Sequence, residues 1–348
     1  MDLRIGIVGL GAQAQENILP SLLHSPNVKI VAACDREPAR LEQVRRYIRT
    51  FEPFTDAEEM LDRVPLDAVV AVCPPDAHRD VAHMAMQRGI GVFVEKPPCA
   101  TYDELEKLTE AAERSGVVTG VGMNFRFSRP VQQIKLMSAD ASFGKSVYVQ
   151  LNHYASKPTE PLWGLSSTLR SFLLAQTIHT IDLAMLFGGK ATSSRSSVIS
   201  VGNTMVVEIG ISFASGASAS ILTGTMWPYF EFDMKLVSDT STMVTLDNLW
   251  NLTLHERSNG NGGVARDKRW RRYWQPGPLD SGFERSGYKT ELDTFFDCVR
   301  TKSRFESDFA SLLPTYDVIE MVCRSHPQMS DASAAPEPVL TPALAESP

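Results

Sequence analysis

Apolar residues follow two different rhythms along this chain. In the first third they form short, mostly apolar runs, Leu3 to Val8, Val28 to Cys34, Leu66 to Val72, Gly91 to Glu95 and Val117 to Val121, with helical stretches between them. Such runs predict strands buried on both faces of a parallel sheet. Two S/T-x-x-E patterns, Thr55-Asp-Ala-Glu58 and Thr101-Tyr-Asp-Glu104, mark helix starts, and Gly116 marks a helix stop.

From Val147 the rhythm becomes polar and apolar alternation, over Val147 to Tyr154, Met205 to Phe213, Ala217 to Thr225, Glu231 to Val237, Thr242 to Leu246 and Trp250 to His255. Period two with short turns such as Ala214-Ser-Gly216 predicts an antiparallel meander with one buried face. Ser171 to Phe187 interrupts it as a helix stopped by Gly188-Gly189, and Lys289 to Arg300 and Ser311 to Cys323 predict two closing helices. The expected fold class is therefore α/β, a doubly wound parallel sheet followed by an α+β part with a large, mostly antiparallel sheet. The expected domains are 1–122 for a dinucleotide and 123–325 for substrate and oligomerisation, with the C-terminal helix packing back on the first. Residues 326–348, rich in Ala, Pro, Ser and Glu, are expected to be a mobile tail.

Composition narrows the function classes. The chain has 348 residues, 43% hydrophobic and 22% charged, which suits two ordinary globular cores. A net charge of -7 argues against nucleic acid and anionic membrane as partners. The start enters a strand directly and no unbroken apolar run reaches the roughly 18 residues of a membrane span, so a cytoplasmic protein is expected. Cys34, Cys73, Cys99, Cys298 and Cys323 lack C-x-x-C spacing and are read as free thiols; the seven histidines form no H-E-x-x-H cluster, so no metal is expected.

The chemistry begins at Gly9-Leu-Gly-Ala-Gln-Ala14, a G-x-G-x-x-A turn between the first strand and a helix. Its backbone at Gly9, Gly11, Ala12 and Gln13 suits a pyrophosphate, and Asp35, ending the second strand 24 residues after Gly11, suits a ribose 2′-hydroxyl. Asp35 favours NAD over NADP; Arg36 beside it leaves NADP possible. Cys73-Pro-Pro-Asp-Ala-His78 follows another strand end, where Cys73, Pro74, Pro75 and His78 would lie against the cofactor or, for His78, simply start a helix. Arg266-Asp-Lys-Arg-Trp-Arg-Arg-Tyr-Trp274, preceded by a Gly/Asn run, reads either as a solvated basic loop or as a clamp for a phosphate.

Three marks in order, the Gly-x-Gly turn, Glu95-Lys96-Pro97 and Ile178-His179-Thr-Ile-Asp182, make the chain resemble the Gfo/Idh/MocA family of NAD(P)-dependent sugar and cyclitol oxidoreductases. The resemblance covers about residues 1 to 325. It implies that Lys96 is catalytic, that Lys96-Pro97 is a cis bond, that Glu95 and Asn124 adjoin the cofactor and that the open sheet makes a homodimer or homotetramer. The family's Asp four residues before the histidine is here Ala175, and the usual glycine two before it is Thr177. The remaining chemistry suffices with His179 as acid/base and Lys96 holding the oxygen, the two able to exchange roles. Arg126, Tyr154, Trp163 and Arg170 complete the expected substrate contacts. A nucleotide-linked sugar is the favoured substrate, with a free cyclitol or inositol, or a dinucleotide sensor without turnover, as alternatives.

Overall fold

The structure, a computed structural model, describes residues 2–257, 269–277 and 282–327. The parallel sheet contains β1 (Leu3–Val8), β2 (Val28–Cys34), β3 (Glu52–Phe54), β4 (Ala68–Ala71), β5 (Gly91–Glu95) and β6 (Thr119–Gly122), in the order β3-β2-β1-β4-β5-β6. Every residue of β4, β5 and β6 is buried, which is why these strands read as mostly apolar runs. The strand order reverses between β1 and β4, so a crevice opens at the carboxyl ends of these two strands. Gly9 follows β1 at that crevice.

The second sheet has eight strands, β7 (Ser146–Tyr154), β8 (Ala191–Val201), β9 (Thr204–Phe213), β10 (Ser218–Gly224), β11 (Glu231–Ser238), β12 (Met243–Asp247), β13 (Asn251–Arg257) and β14 (Arg269–Trp274). Their order is β14-β13-β12-β11-β7-β10-β9-β8. The expected meander is thus opened by β7, which inserts between β11 and β10 and runs parallel to β10; the other pairings are antiparallel. Alternation holds well in β9, where Met205, Val207, Ile209, Ile211 and Phe213 point into the core. It is weak in β8, whose Ala-Thr-Ser-Ser-Arg-Ser-Ser start carries no apolar period and so gives no strand signal.

A helix, Thr168–Gly188, lies on the inner face of this sheet. It begins three residues earlier than its apolar pattern predicts, because the Ser167 hydroxyl caps the Arg170 N–H at 3.0 Å. A π turn at Leu173–Thr177 interrupts it. By length and composition it is apolar enough to cross a membrane, but 78% of its apolar window is buried inside the fold. The helix Phe309–Ser325 packs on it and on Tyr102–Ser115, joining the two sheets' helical layers, and Tyr288–Thr301 lays Leu292, Phe295 and Phe296 into the core beneath β1 and β5.

Three other expectations change. The cap of the helix Ala57–Arg63 is Asp56, not Thr55, its carboxylate accepting from Glu59 N at 2.8 Å. Residues 269–274 are not a loop but the edge strand β14. Residues 266–268 of the basic stretch, the Gly/Asn run before it, and 328–348 of the expected tail lie outside the described residues.

Candidate active site

A cavity of about 340 Å³ opens where the carboxyl ends of β4 and β5 meet the helix Thr168–Gly188 and strand β7. Its walls include Gln13, Cys73, His78, Glu95, Lys96 and Asn124 from the nucleotide side, and His153, Gln176 and His179 from the other.

The dinucleotide end is built from backbone. Gly9 has φ +86, and a Cβ there would sit 2.2 Å from the Val72 carbonyl, so both conformation and space require glycine. At Gly11 a Cβ would meet nothing nearer than the Arg40 guanidinium at 3.9 Å; the open space lies at the start of a helix, where a diphosphate fits. Ala12 begins that helix, exposed. Asp35 is buried and holds the turn itself, accepting from Leu10 N at 2.8 Å and Glu37 N at 2.9 Å. Arg36 is exposed, whereas Arg40, which carried no sequence signal, stands 3.6 Å from Asp35. These residues fit NAD.

His78 is a latch. Its Nε2 accepts from Cys73 N and its Nδ1 donates to the Pro97 carbonyl, both at 2.9 Å, so it ties the loop after β4 to the loop after β5. Burial pushes its pKa down to about 4 and pushes the Cys73 thiol up to about 12, leaving both neutral. Pro74 caps the helix Pro75–Gln87, with Pro75 at its first position. Gln13 reaches across to Tyr288 Oη at 3.2 Å and Glu95 Oε1 at 3.5 Å, and Asn124 donates to the Ser286 carbonyl at 2.8 Å.

Lys96 leaves β5 through a cis bond to Pro97, as the resemblance implied. Its Nζ donates to the Ala175 carbonyl at 2.6 Å, within the π turn. Burial lowers its pKa, and Glu95 partly offsets this. Glu95 is itself raised to about 6 by burial. A Cβ at Gly122 would stand 3.0 Å from that carboxyl group, so a side chain there would press on Glu95. His179, at the start of the α-helical segment after the π turn, stacks on Phe125 with ring centroids 4.4 Å apart, and its Nδ1 has no protein partner. Burial first, then the charge of Lys96, then His153, hold it well below the ordinary histidine range.

The four other expected substrate contacts do not line this cavity. Arg126 forms a buried two-pronged pair with Asp182, through Nε at 2.6 Å and through Nη2, and donates to the Glu306 carbonyl at 2.7 Å. Arg170 is paired with Glu320 at 2.6 and 2.7 Å. Tyr154 stacks on Trp227, and Trp163 is a partly exposed residue at φ 55. The residue that β7 does deliver is His153. Side chains alternate along a strand, so His153 lines the cavity while Tyr154, the expected contact on the same strand, does not. Gln176, Phe125 and Tyr288 carried no prior signal either, because their meeting depends on how the elements pack.

The model of the oxidoreductase family with an NAD-binding Rossmann fold matches residues 3–123. The chain is 26% identical over 239 residues to scyllo-inositol 2-dehydrogenase (NAD(+)) of Bacillus subtilis strain 168, covering 66% of this chain and 69% of that one. A dehydrogenase from Chromobacterium violaceum of known structure is 56% identical, with 93% of this chain and 95% of that chain covered and a TM-score of 0.89. UDP-N-acetylglucosamine 3-dehydrogenase from Acidithiobacillus ferrooxidans shares the fold at 18% identity, a TM-score of 0.76, and coverage of 95% and 99%.

Proposed function

The chain belongs to the Gfo/Idh/MocA family of NAD-dependent dehydrogenases acting on CH–OH groups, and on that premise we propose that it oxidises a hydroxyl of a sugar- or cyclitol-like substrate between Lys96 and His179. The observation that carries this reading is the convergence of these two side chains on one cavity, adjoining a turn that fits a dinucleotide. When bound, NAD supplies the hydride acceptor. The chain's own part is to move the hydroxyl proton and hold the oxygen. His179, kept neutral by its surroundings, is ready to accept that proton. Lys96 has one ammonium hydrogen on Ala175 O and the others left for the substrate oxygen.

Gly9, Gly11, Ala12, Gln13 and Asp35 would hold the dinucleotide, with His78, Cys73, Pro74, Pro75, Glu95 and Asn124 closing the nicotinamide end. This split of labour supports a division into 1–122 for the dinucleotide and 123–325 for substrate, with the helix Tyr288–Thr301 packing back on the first. Tyr148, Ile199 and Val201, exposed on the eight-stranded sheet, support homo-oligomer formation through that sheet. The nucleotide-linked sugar draws less support. Arg170 is spent on Glu320, Arg272 pairs with Glu256 on the edge strand, and neither lines the cavity. Incubation with NAD and a panel of sugars, cyclitols and sugar acids, followed by nicotinamide absorbance, tests the reading. Reduction by at least one member is expected; NAD binding without reduction by any would favour the sensor alternative.

A further inference from the structure

The chemistry above employs Lys96 and His179 and leaves His153 without a task. His153 is fully buried, lies edge-on to Phe230 and Phe232 at 5.2 and 6.4 Å between ring centroids, and has no hydrogen-bond partner on either ring nitrogen. The Gln176 carbonyl lies near the ring and acts to raise its pKa, without a hydrogen bond of normal geometry to either nitrogen. Buried polar groups are nearly always partnered, so two orphan nitrogens in a cavity wall point to partners supplied by a ligand.

The charges around the ring say which ligand. Lys96 faces it from β5, with a neutral carbonyl as hydrogen-bond partner and no ion pair among the described residues. His179 faces it from the helix and is held neutral. The nearby carboxylates are turned elsewhere. Asp182 is bound to Arg126, Glu95 faces Gln13 and the Lys96 N–H, and Glu291 has its pKa raised well above the ordinary range by burial. Glu95 acts on this enclosed ammonium through space but forms no ion pair with it, which leaves the Lys96 amine able to meet a substrate that brings a negative charge.

We infer that the substrate is a polyhydroxylated carboxylic acid whose carboxylate, on or next to the carbinol carbon, is bound by His153 and Lys96 while the carbinol lies at His179. This rests on the dehydrogenase reading and names its substrate class. The step balances: the carbinol C–H leaves as hydride to NAD+, the O–H proton passes to His179, and the C–O bond becomes a carbonyl. The carboxylate is unchanged, and the products are a keto acid, NADH and one proton. His153 is then a specificity-determining residue. Burial and the Lys96 charge keep its pKa at about 4, so at neutral pH it offers one N–H to the carboxylate and needs no prior protonation.

The test is binding to the NADH complex, read by nicotinamide fluorescence, for pairs that share a carbon skeleton: tartrate and threitol, gluconate and sorbitol, glucuronate and glucose. At least one acid is expected to bind about 10- to 100-fold more tightly than its neutral partner, the scale of a charge-assisted hydrogen bond. His153→Phe, which keeps the ring's bulk, should abolish most of that difference and leave the neutral compound within about threefold, while His153→Asn, which keeps a donor, should retain part of it. Retained NADH affinity verifies that both variants are folded. Neutral partners binding as well as every acid, no acid binding at all, or an acid preference that survives His153→Phe would each overturn the inference. An acid that binds in this way yet never reduces NAD would leave the anion site standing and remove the dehydrogenase reading instead.

Discussion

The amine of Lys96 is held by the backbone carbonyl of Ala175, at 2.6 Å, where a carboxylate side chain was expected one helical turn before His179. The π turn at Leu173–Thr177 explains how a main-chain group takes that place, because its wider ladder lets a carbonyl meet a donor from outside the helix. A carbonyl orients the amine without neutralising it. The missing Asp is therefore replaced in position but not in charge.

Burial of His179, and after it the un-neutralised charge of Lys96, set the pH dependence. A base with a lowered pKa stays unprotonated further into acid, so the acid limb of kcat/KM for NAD reduction should fall below pH 6.5 and disappear in His179→Gln. An acid limb above pH 6.5 would contradict the role of His179.

Asp35→Ala should raise NADP use relative to NAD, because it removes the carboxylate from the ribose end and frees Arg40, now 3.6 Å away, to meet a 2′-phosphate. The measurement is the ratio of the two cofactors' kcat/KM values. A wild type that prefers NADP would contradict the assignment.

Arg126→Ala should unfold about 3–5 kcal/mol more easily in urea, since it leaves Asp182 as a buried unpaired charge. Unchanged stability with a raised KM would return Arg126 to the substrate contacts from which its placement removes it.

Glu291 is fully buried, and neither of its side-chain oxygens has a hydrogen-bond partner. Burial raises its folded pKa above the ordinary 4.5, so the native state pays for ionisation that the unfolded chain gains freely. The cost is absent below pH 4.5 and grows as pH rises toward the folded pKa. Glu291→Gln should match wild type at pH 4 and be the more stable of the two at pH 8 by thermal unfolding; the opposite order at pH 8 would overturn this.

Much of this molecule is legible in its residues. Buried parallel strands show as mostly apolar runs, Gly9 is dictated by its turn, and Lys96 ends an apolar strand. What escaped has physical reasons. β8 and β14 are poor in apolar alternation because they lie at the two edges of the sheet. His153 lay one residue from a named neighbour, and in a strand one residue reverses the face. Arg126 and Arg170 look like substrate cations in the sequence, but their partners Asp182 and Glu320 lie 56 and 150 residues away and become visible only once the helices pack.

The most direct test of the central claim is the turnover of Lys96→Ala beside wild type, with NADH affinity measured on the same samples. The account predicts that kcat falls by about two to four powers of ten, the scale of lost acid/base assistance, while NADH affinity changes far less. Unchanged turnover in a variant that still binds NADH would contradict it.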